Sequence, residues 1–221
     1  MSAEPLIPDA LAGAAPVCLF GAGGHGRVVA AQIFRRAPDV RLSFGDATQP
    51  ASQVDGVTLR FHDVVQAEGH LILVTIGDNA ARRRLQHAAE AASMDIGHVV
   101  IDEKTYFATP PGPGTQVLAG AVVNPGAQIG AGVIINSNAV AEHDTRISDF
   151  CHLAPGSVVG GGAVLGESVF LGTSASVLPG ITIAPGCVIG AGGVVVRDIE
   201  QPGTYVGVPA RPLFKTKRTL A

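Results

Sequence analysis

Apolar residues run through this chain in two rhythms. In the first, which lasts to about residue 101, they come in short blocks set between polar and glycine-rich stretches. Val17-Cys18-Leu19-Phe20 is a buried-strand signal, and the segment Arg27 to Ala37 behind it reads as a helix stopped by Pro38. A second strand is predicted over about Arg41 to Phe44, with Asp46 closing it, and a third over Leu71 to Ile76. Gly77-Asp78-Asn79 then leads into a helix from about Ala80 to Ala92, and Val99 to Ile101 predicts a last strand. Strands alternating with helices imply a parallel sheet.

The second rhythm is a six-residue clock. Val117, Val123, Ile129, Ile135, Ala141, Ile147, Leu153, Val159, Leu165, Leu171, Val177, Ile183, Ile189 and Val195 fall on every sixth position, and all but Ala141 are Val, Ile or Leu. Four residues after each of these anchors comes a mostly small residue, among them Ala121, Ala127, Ala139, Cys151, Ser157, Ala163, Ala175 and Cys187. A sustained short repeat of this kind predicts a parallel β-helix: the anchor fills the interior and the small residue sits at a corner. Three hexads make one triangular coil. A little over four coils stacked at about 4.8 Å give a prism on the order of 20 Å long. Glycines directly after the anchor (Gly130, Gly160, Gly166, Gly172, Gly190) are expected to form its tight turns.

Composition agrees with a narrow interior. Of 221 residues, 47% are hydrophobic but only 5% aromatic, with no Trp, so the core must be built from Val, Ile, Leu and Ala. The net charge of -3 and the lack of a basic stripe argue against a nucleic-acid partner. Cys18, Cys151 and Cys187 form no metal or redox spacing, and the last two lie on the small-residue register, where packing explains them. The first fifteen residues carry Glu4 and Asp9 and lack the basic region of a signal peptide, and no apolar run reaches the roughly 18 residues that span a bilayer. The expectation is a cytoplasmic protein with no membrane insertion. The domain layout expected is a tail over 1–16, an α/β domain over 17–101, a β-helix over 102–212 and a tail over 213–221.

Candidate chemistry lies in both halves. Gly21-Ala22-Gly23-Gly24-His25-Gly26 places G-x-G-x-x-G between a strand and a helix, where glycines allow a tight turn and the helix N-terminus attracts an anion. Asp46 follows Gly26 by twenty residues, the position of a ribose-hydroxyl acceptor. The unit is about half the length of a full dinucleotide domain, so it is read as a site for one nucleotide. A purely structural turn is the alternative. His25 is either a ligand contact or a helix-start residue that satisfies backbone. Gly77 ends a strand where sheet ligands bind, whereas Asp78 or Asn79 reads as an N-cap. In the repeat, His143 is followed by Asp144, and His152 lies nine residues further on, half a coil away. Neither histidine is on an interior register, so both are expected to point outward. An imidazole next to a carboxylate is a plausible general base, and a plain surface histidine is the other reading.

The repeat resembles that of the hexapeptide-repeat acyltransferases. The order of glycine loop with G-H-G, strand, acidic residue, I-G-D-N, prism, E-H-D, H-L-x-x-G and G-V-P-A resembles, within that group, the sugar acetyltransferases of the bacillosamine, perosamine and sialic-acid type. That resemblance implies a left-handed β-helix, a homotrimer, and acetyl-CoA bound in grooves between neighbouring prisms. It implies His143 as catalytic base with Asp144 as partner, and His152 as an acetyl-CoA contact. It further implies a backbone amide near Gly161 that polarises the thioester carbonyl, backbone contacts of Thr173 and Ala191 to CoA, and nucleotide-sugar contacts at Gly23, Gly24, His25, Asp46 and Gly77. No metal is expected. Relatives often carry Glu at the position of Asp144, and those that bind a uridine nucleotide often carry two consecutive acids where this chain has Asp46-Ala47. The function expected is N-acetylation of a nucleotide-linked 4-amino sugar, with O-acetylation of a sialic-acid-like sugar and a non-enzymatic nucleotide-binding trimer as alternatives. A zinc hydratase on the same prism needs a third imidazole, and the repeat holds only His143 and His152. An NAD enzyme needs a longer N-terminal unit.

Overall fold

The computed structural model describes residues 15–50 and 52–213. Most of the expected N-terminal tail, and the C-terminal tail from residue 214, lie outside the described residues. The N-terminal unit contains β1 (Val17–Phe20), α1 (Gly24–Arg36), β2 (Leu42–Gly45), β3 (Gln53–Val54), β4 (Val57–Phe61), β5 (Leu71–Val74) and α2 (Asn79–Ala91). The sheet order is β3-β4-β2-β1-β5, parallel except for the β3–β4 pair. That hairpin is not anticipated by the apolar pattern. It turns at Asp55 (φ 51°) and Gly56 (φ 80°), an Asp-Gly pair whose positive φ values match the twist of a two-residue hairpin. Helix α1 begins three residues earlier than expected, so His25 is part of its first turn.

The strand expected to end the α/β sheet forms, but in the other half of the molecule. Ile96 bridges Ile72, the chain then crosses, and β6 (Val99–Val100) pairs with β7 (Gln116–Val117), the first strand of the repeat. The two halves share packing at this joint: Val99, Ile101 and Leu118 are buried in one cluster with Val17, Leu19, Val29 and Phe44.

The repeat is a left-handed parallel β-helix. Fourteen two-residue strands among the described residues, from β7 to Val194–Val195, form three stacked parallel sheets. Each residue pairs with the one eighteen positions on, as in Ile134 with His152, Val140 with Val158 and Arg146 with Val164. All fourteen anchors are buried, and the small register packs beside them. Truncating one such aliphatic anchor to alanine costs about 2–5 kcal/mol. Cys151 and Cys187 lie in this interior, and burial pushes the Cys151 thiol up to about 12. The packing reading of both cysteines fits.

The turns correct one expectation. Positive φ falls three residues after the anchor, as at Gly162 (φ 68°) and Asp144 (φ 60°), and not directly after it. The glycines directly after the anchor are required by stacking. A Cβ at Gly160 would lie 2.6 Å from Pro179 N, and one at Gly172 would lie 2.6 Å from Ala191 N, both on the next coil.

The residue before each anchor points out of the prism, and the three faces differ there. On the face that carries β7 the column is Gln116, Ile134, His152, Phe170 and Val188, and its first three members are buried beneath the α/β unit. On the second face it is Val122, Val140, Val158, Ser176 and Val194, all half-buried. On the third it is Gln128, Arg146, Val164 and Thr182, mostly exposed.

Candidate functional site

The glycine loop divides into two pairs. Gly21 has φ 120° and packs against Thr75 and Ile76, and a Cβ on Gly26 would fall on the Gly21 carbonyl. Those two glycines are demanded by the fold. Gly23 and Gly24 are exposed, and a Cβ on either would meet nothing within 4 Å. The space above them is open to a ligand at the N-terminus of a thirteen-residue helix. Asp46 braces this loop: Oδ2 accepts from Ala22 N at 2.9 Å, and Oδ1 accepts from Thr48 N, Thr48 Oγ1 and Gln49 N at 2.8–3.1 Å. Partial burial opposes its ionisation, but these bonds outweigh that and hold the carboxyl below its ordinary value.

The joint between the halves is polar and organised by a residue the sequence pattern did not reveal. Arg82 on α2 has no exposed surface. Its Nε donates to Gly132 O at 2.7 Å, Nη1 to Ile76 O at 2.9 Å, and Nη2 to Asn79 Oδ1 and Phe150 O at 2.8 and 2.9 Å. One guanidinium thus ties the segment after β5 and helix α2 to one edge of the prism, at two successive coils. Burial lowers its pKa to about 10, which leaves it charged at neutral pH.

His152 does project from the prism, but it is not the solvent-facing histidine expected. It is 7% exposed, because the α/β unit covers it. Nδ1 donates to Gly77 O at 3.0 Å, and Nε2 accepts from Asn136 Nδ2 at 3.2 Å. The Asn136 amide is oriented by Oδ1, which accepts from Ser137 N at 2.8 Å. Burial pushes the His152 pKa down to about 4, and the nearby Arg82 and His25 push the same way. The ring is therefore neutral at pH 7. His25 lies 6.1 Å away between ring centres, and Phe170 meets His152 edge-on at 5.1 Å. A cleft of about 680 Å³ opens beside this group, lined by Gly77, Asn79, His152, Phe170 and Val188, with Arg83 at its rim. Arg83 forms an ion pair with Glu167.

The other histidine sits at a bare corner. His143 and Asp144 occupy the turn between the strands Val140–Ala141 and Arg146–Ile147, and their side chains are 66% and 73% exposed. His143 Nδ1 faces Asp144 Oδ2 at 2.9 Å. The hydrogen bond to Asp144 raises the His143 pKa, and the charges of Asp144 and Glu142 add to it. The ring lies over Gly161 on the next coil, where a Cβ would come within 2.6 Å of His143 Nε2. Only a residue without a side chain leaves room for the imidazole there, and among the described residues no group accepts from the Gly161 N–H. Thr173 and Ala191 are exposed and stack one coil apart on a different edge of the prism, where Gly192 N donates to Thr173 O at 2.8 Å.

Known proteins carry the same architecture. The PglD N-terminal domain family matches residues 16–89. None of the curated protein sequences matches the chain. Among solved structures, the acetyltransferase domain of PglB from Neisseria gonorrhoeae FA1090 is 31% identical with a TM-score of 0.82, covering 90% of this chain and 99% of that one. The same domain has been solved with acetyl coenzyme A. PerB from Caulobacter crescentus, in complex with CoA and GDP-perosamine, is 35% identical with a TM-score of 0.81, covering 90% of this chain and 97% of that one. The chain belongs to the hexapeptide-repeat sugar acetyltransferase family.

Within this sugar acetyltransferase, the residues singled out from the sequence gather at three places. Gly23, Gly24, His25, Asp46, Gly77 and His152 lie along the glycine loop and the joint. His143, Asp144 and Gly161 share one prism edge, and Thr173 and Ala191 share another. A single chain does not bring these three groups together. Arg82, Gln116 and Asn136 belong to the joint and were missed; of the two N-cap candidates Asp78 caps α2, and Asn79 instead bonds Arg82 and the Ser168 carbonyl across the joint. Their contacts span from 16 to 91 residues of sequence, and no local periodicity reports them.

Proposed function

We propose that this acyltransferase moves the acetyl group of acetyl-CoA directly to the amine of a nucleotide-linked 4-amino sugar. The observation that carries the reading is the His143–Asp144 pair, exposed at a prism edge with its ring over the Gly161 backbone. Asp144 accepts from Nδ1–H, which leaves the Nε2 lone pair as the base. As the sugar amine attacks the thioester carbonyl, a C–N bond forms and His143 takes the amine proton. The Gly161 N–H is suited to the developing oxyanion. Collapse breaks the C–S bond, and the proton on His143 leaves with the CoA thiolate. PerB, solved with CoA and GDP-perosamine, supports both the co-substrate and the substrate class.

The nucleotide-sugar is assigned to the open space over Gly23 and Gly24, with His25, Gly77 and the cleft beside His152 taking the sugar end. Asp46 acts there by holding the loop and turning one oxygen toward it. Acetyl-CoA is assigned to the edge that carries Thr173 and Ala191. His152 contributes one ring edge to the cleft, since both its nitrogens are engaged. Assembly as a homotrimer is part of this reading. The half-buried valine column Val122, Val140, Val158 and Val194 is an apolar stripe suited to a neighbouring prism, and it lies between the His143 edge and the Thr173 edge. We assign the reaction to the cytoplasm, where acetyl-CoA is available.

The test is release of free CoA with a panel of UDP-, GDP- and dTDP-linked amino sugars and of sialic acids. Turnover with a nucleotide-linked 4-amino sugar is expected. Turnover with sialic acids alone would move the reading to O-acetylation. Nucleotide binding without any turnover would make the chain a non-catalytic binder.

A further inference from the structure

Gln116 has no exposed surface and sits on β7, but its side chain leaves the prism and enters the α/β unit. Its Nε2 donates to the Val74 carbonyl at 3.0 Å, at the C-terminal end of β5, and also faces the Gly114 carbonyl at 3.5 Å. Two carbonyls beside the amide nitrogen fix the direction of the group, because a flipped amide would set oxygen against oxygen. Oε1 is left facing His25 Nε2 at 2.9 Å. An amide oxygen can only accept, so Nε2 of His25 carries the proton and Nδ1 carries the lone pair. Among the described residues nothing bonds to that Nδ1, and on the half-buried ring it is not a fully buried atom.

The geometry points to Gln116 as a positioning residue that holds His25 in the Nε2–H tautomer, so that the glycine loop offers a neutral acceptor to a hydroxyl or amine of the bound sugar. This rests on the reading of the loop as the nucleotide-sugar site. Burial and the nearby Arg82 lower the pKa of His25 and keep the ring uncharged, although the bond to Gln116 works against them. A consequence follows for the orientation of the ligand. A lone pair at the mouth of α1 repels a phosphate oxygen, so the diphosphate goes to the N–H groups beyond Gly23 and Gly24, and the donor-bearing part of the ligand goes to His25. The tautomer of a residue in the α/β unit is in this way dictated by the first strand of the prism.

The tautomer is read directly from two-bond ¹⁵N–¹H spectra of the wild-type protein labelled in its histidine rings, with His25→Ala used to identify the resonance. The expected pattern is Nε2–H. An Nδ1–H pattern overturns the inference. Gln116→Glu supplies the kinetic arm. The second carboxyl oxygen meets the Val74 and Gly114 carbonyls, so the ring spectrum of the variant is read first; where the glutamate is ionised, it draws a second proton onto the ring and turns Nδ1 into a donor. The KM for the nucleotide amino sugar should then rise about tenfold, the loss of one good hydrogen bond, with the KM for acetyl-CoA within about twofold. An unchanged sugar KM with a demonstrated imidazolium overturns the inference. If the variant does not fold, the wild-type spectrum decides alone. If no nucleotide sugar is acetylated, the proposed function fails, while the spectrum, recorded with and without added GDP and UDP, still decides the tautomer.

Discussion

His143 and His152 are nine residues apart on the same repeat, and the protein treats them in opposite ways. His143 stands on a prism corner in water, next to Asp144, with its pKa raised by that carboxylate. His152 lies under the α/β unit, held by Gly77 and Asn136, with its pKa pushed down to about 4 by burial. One ring is exposed, with its protonated form favoured by a carboxylate, whereas the other is a fixed neutral strut. The hexad pattern gives both the same outward direction. What separates them is the second layer, which among the described residues folds over the face that carries His152.

Replacement of the exposed ring should give the largest effect on rate. His143→Ala is expected to lower kcat by about 10²–10⁴-fold, the usual worth of a general base, and to leave the denaturation midpoint unchanged. Near-normal kcat in this variant would move the base elsewhere. At the joint the balance reverses, and stability is the sensitive quantity. Arg82→Met leaves the carbonyls of Ile76, Gly132 and Phe150 without their buried donor. At about 1–3 kcal/mol for each unsatisfied group, a loss of about 3 kcal/mol or more is expected in chemical denaturation at fixed protein concentration. A loss below about 1 kcal/mol would mean that the α/β unit is not anchored through this guanidinium.

The contrast also has a signature in pH. His152 binds its proton far more readily when the chain is unfolded, since its folded pKa is about 4 against an ordinary value of 6.5. Its contribution is therefore fully present above about pH 6.5 and is lost as pH falls toward 4. The span amounts to about 3 kcal/mol. Stability measured from pH 7.5 to 4 should fall less steeply for His152→Gln than for the wild type. Parallel curves would show that the ring is not buried as neutral imidazole. His143 cannot produce this slope, because it is exposed and its shift is in the other direction.

Much of the prism was legible in the sequence because its code is local and repeated. Thirteen of the fourteen anchors and most of the corner residues obey one rule, so the repeat alone places Leu153 and Cys151 inside. The His143–Asp144 pair was legible for the same reason, being two adjacent residues in one turn. The joint was not. Arg82 looks like any arginine on a helix, and Gln116 looks like an outward polar residue before an anchor. Only the covering of their face changes what they do, and that covering depends on contacts across many tens of residues. A faint signal did exist: Ile134 and Phe170 put apolar side chains in the outward column of the same face as His152. The Asp55-Gly56 hairpin was also within reach, since those two residues favour such a turn. The strand over 99–101 was correctly expected to be extended, but sequence pattern does not say which sheet an isolated apolar strand will join.

The smallest effect tests the exposed side of the comparison most finely. Asp144 has φ 60°, a conformation that asparagine tolerates nearly as well as aspartate, so Asp144→Asn keeps the turn. It removes the negative charge that raises the pKa of His143. The base works in its neutral form, so activity falls as pH drops through that pKa. With the charge gone the pKa moves back toward its ordinary value, and the acidic limb of the kcat/KM profile should move to lower pH. At high pH, where the ring is neutral in both proteins, the weaker base should lower kcat by less than about tenfold. The two changes oppose each other, so the profiles of wild type and variant should converge toward acid pH and separate toward alkaline pH. A limb that stays in place would mean either that His143 is not the titrating group or that Asp144 does not tune it. His143→Ala, which removes the limb altogether if His143 is the base, distinguishes those two outcomes.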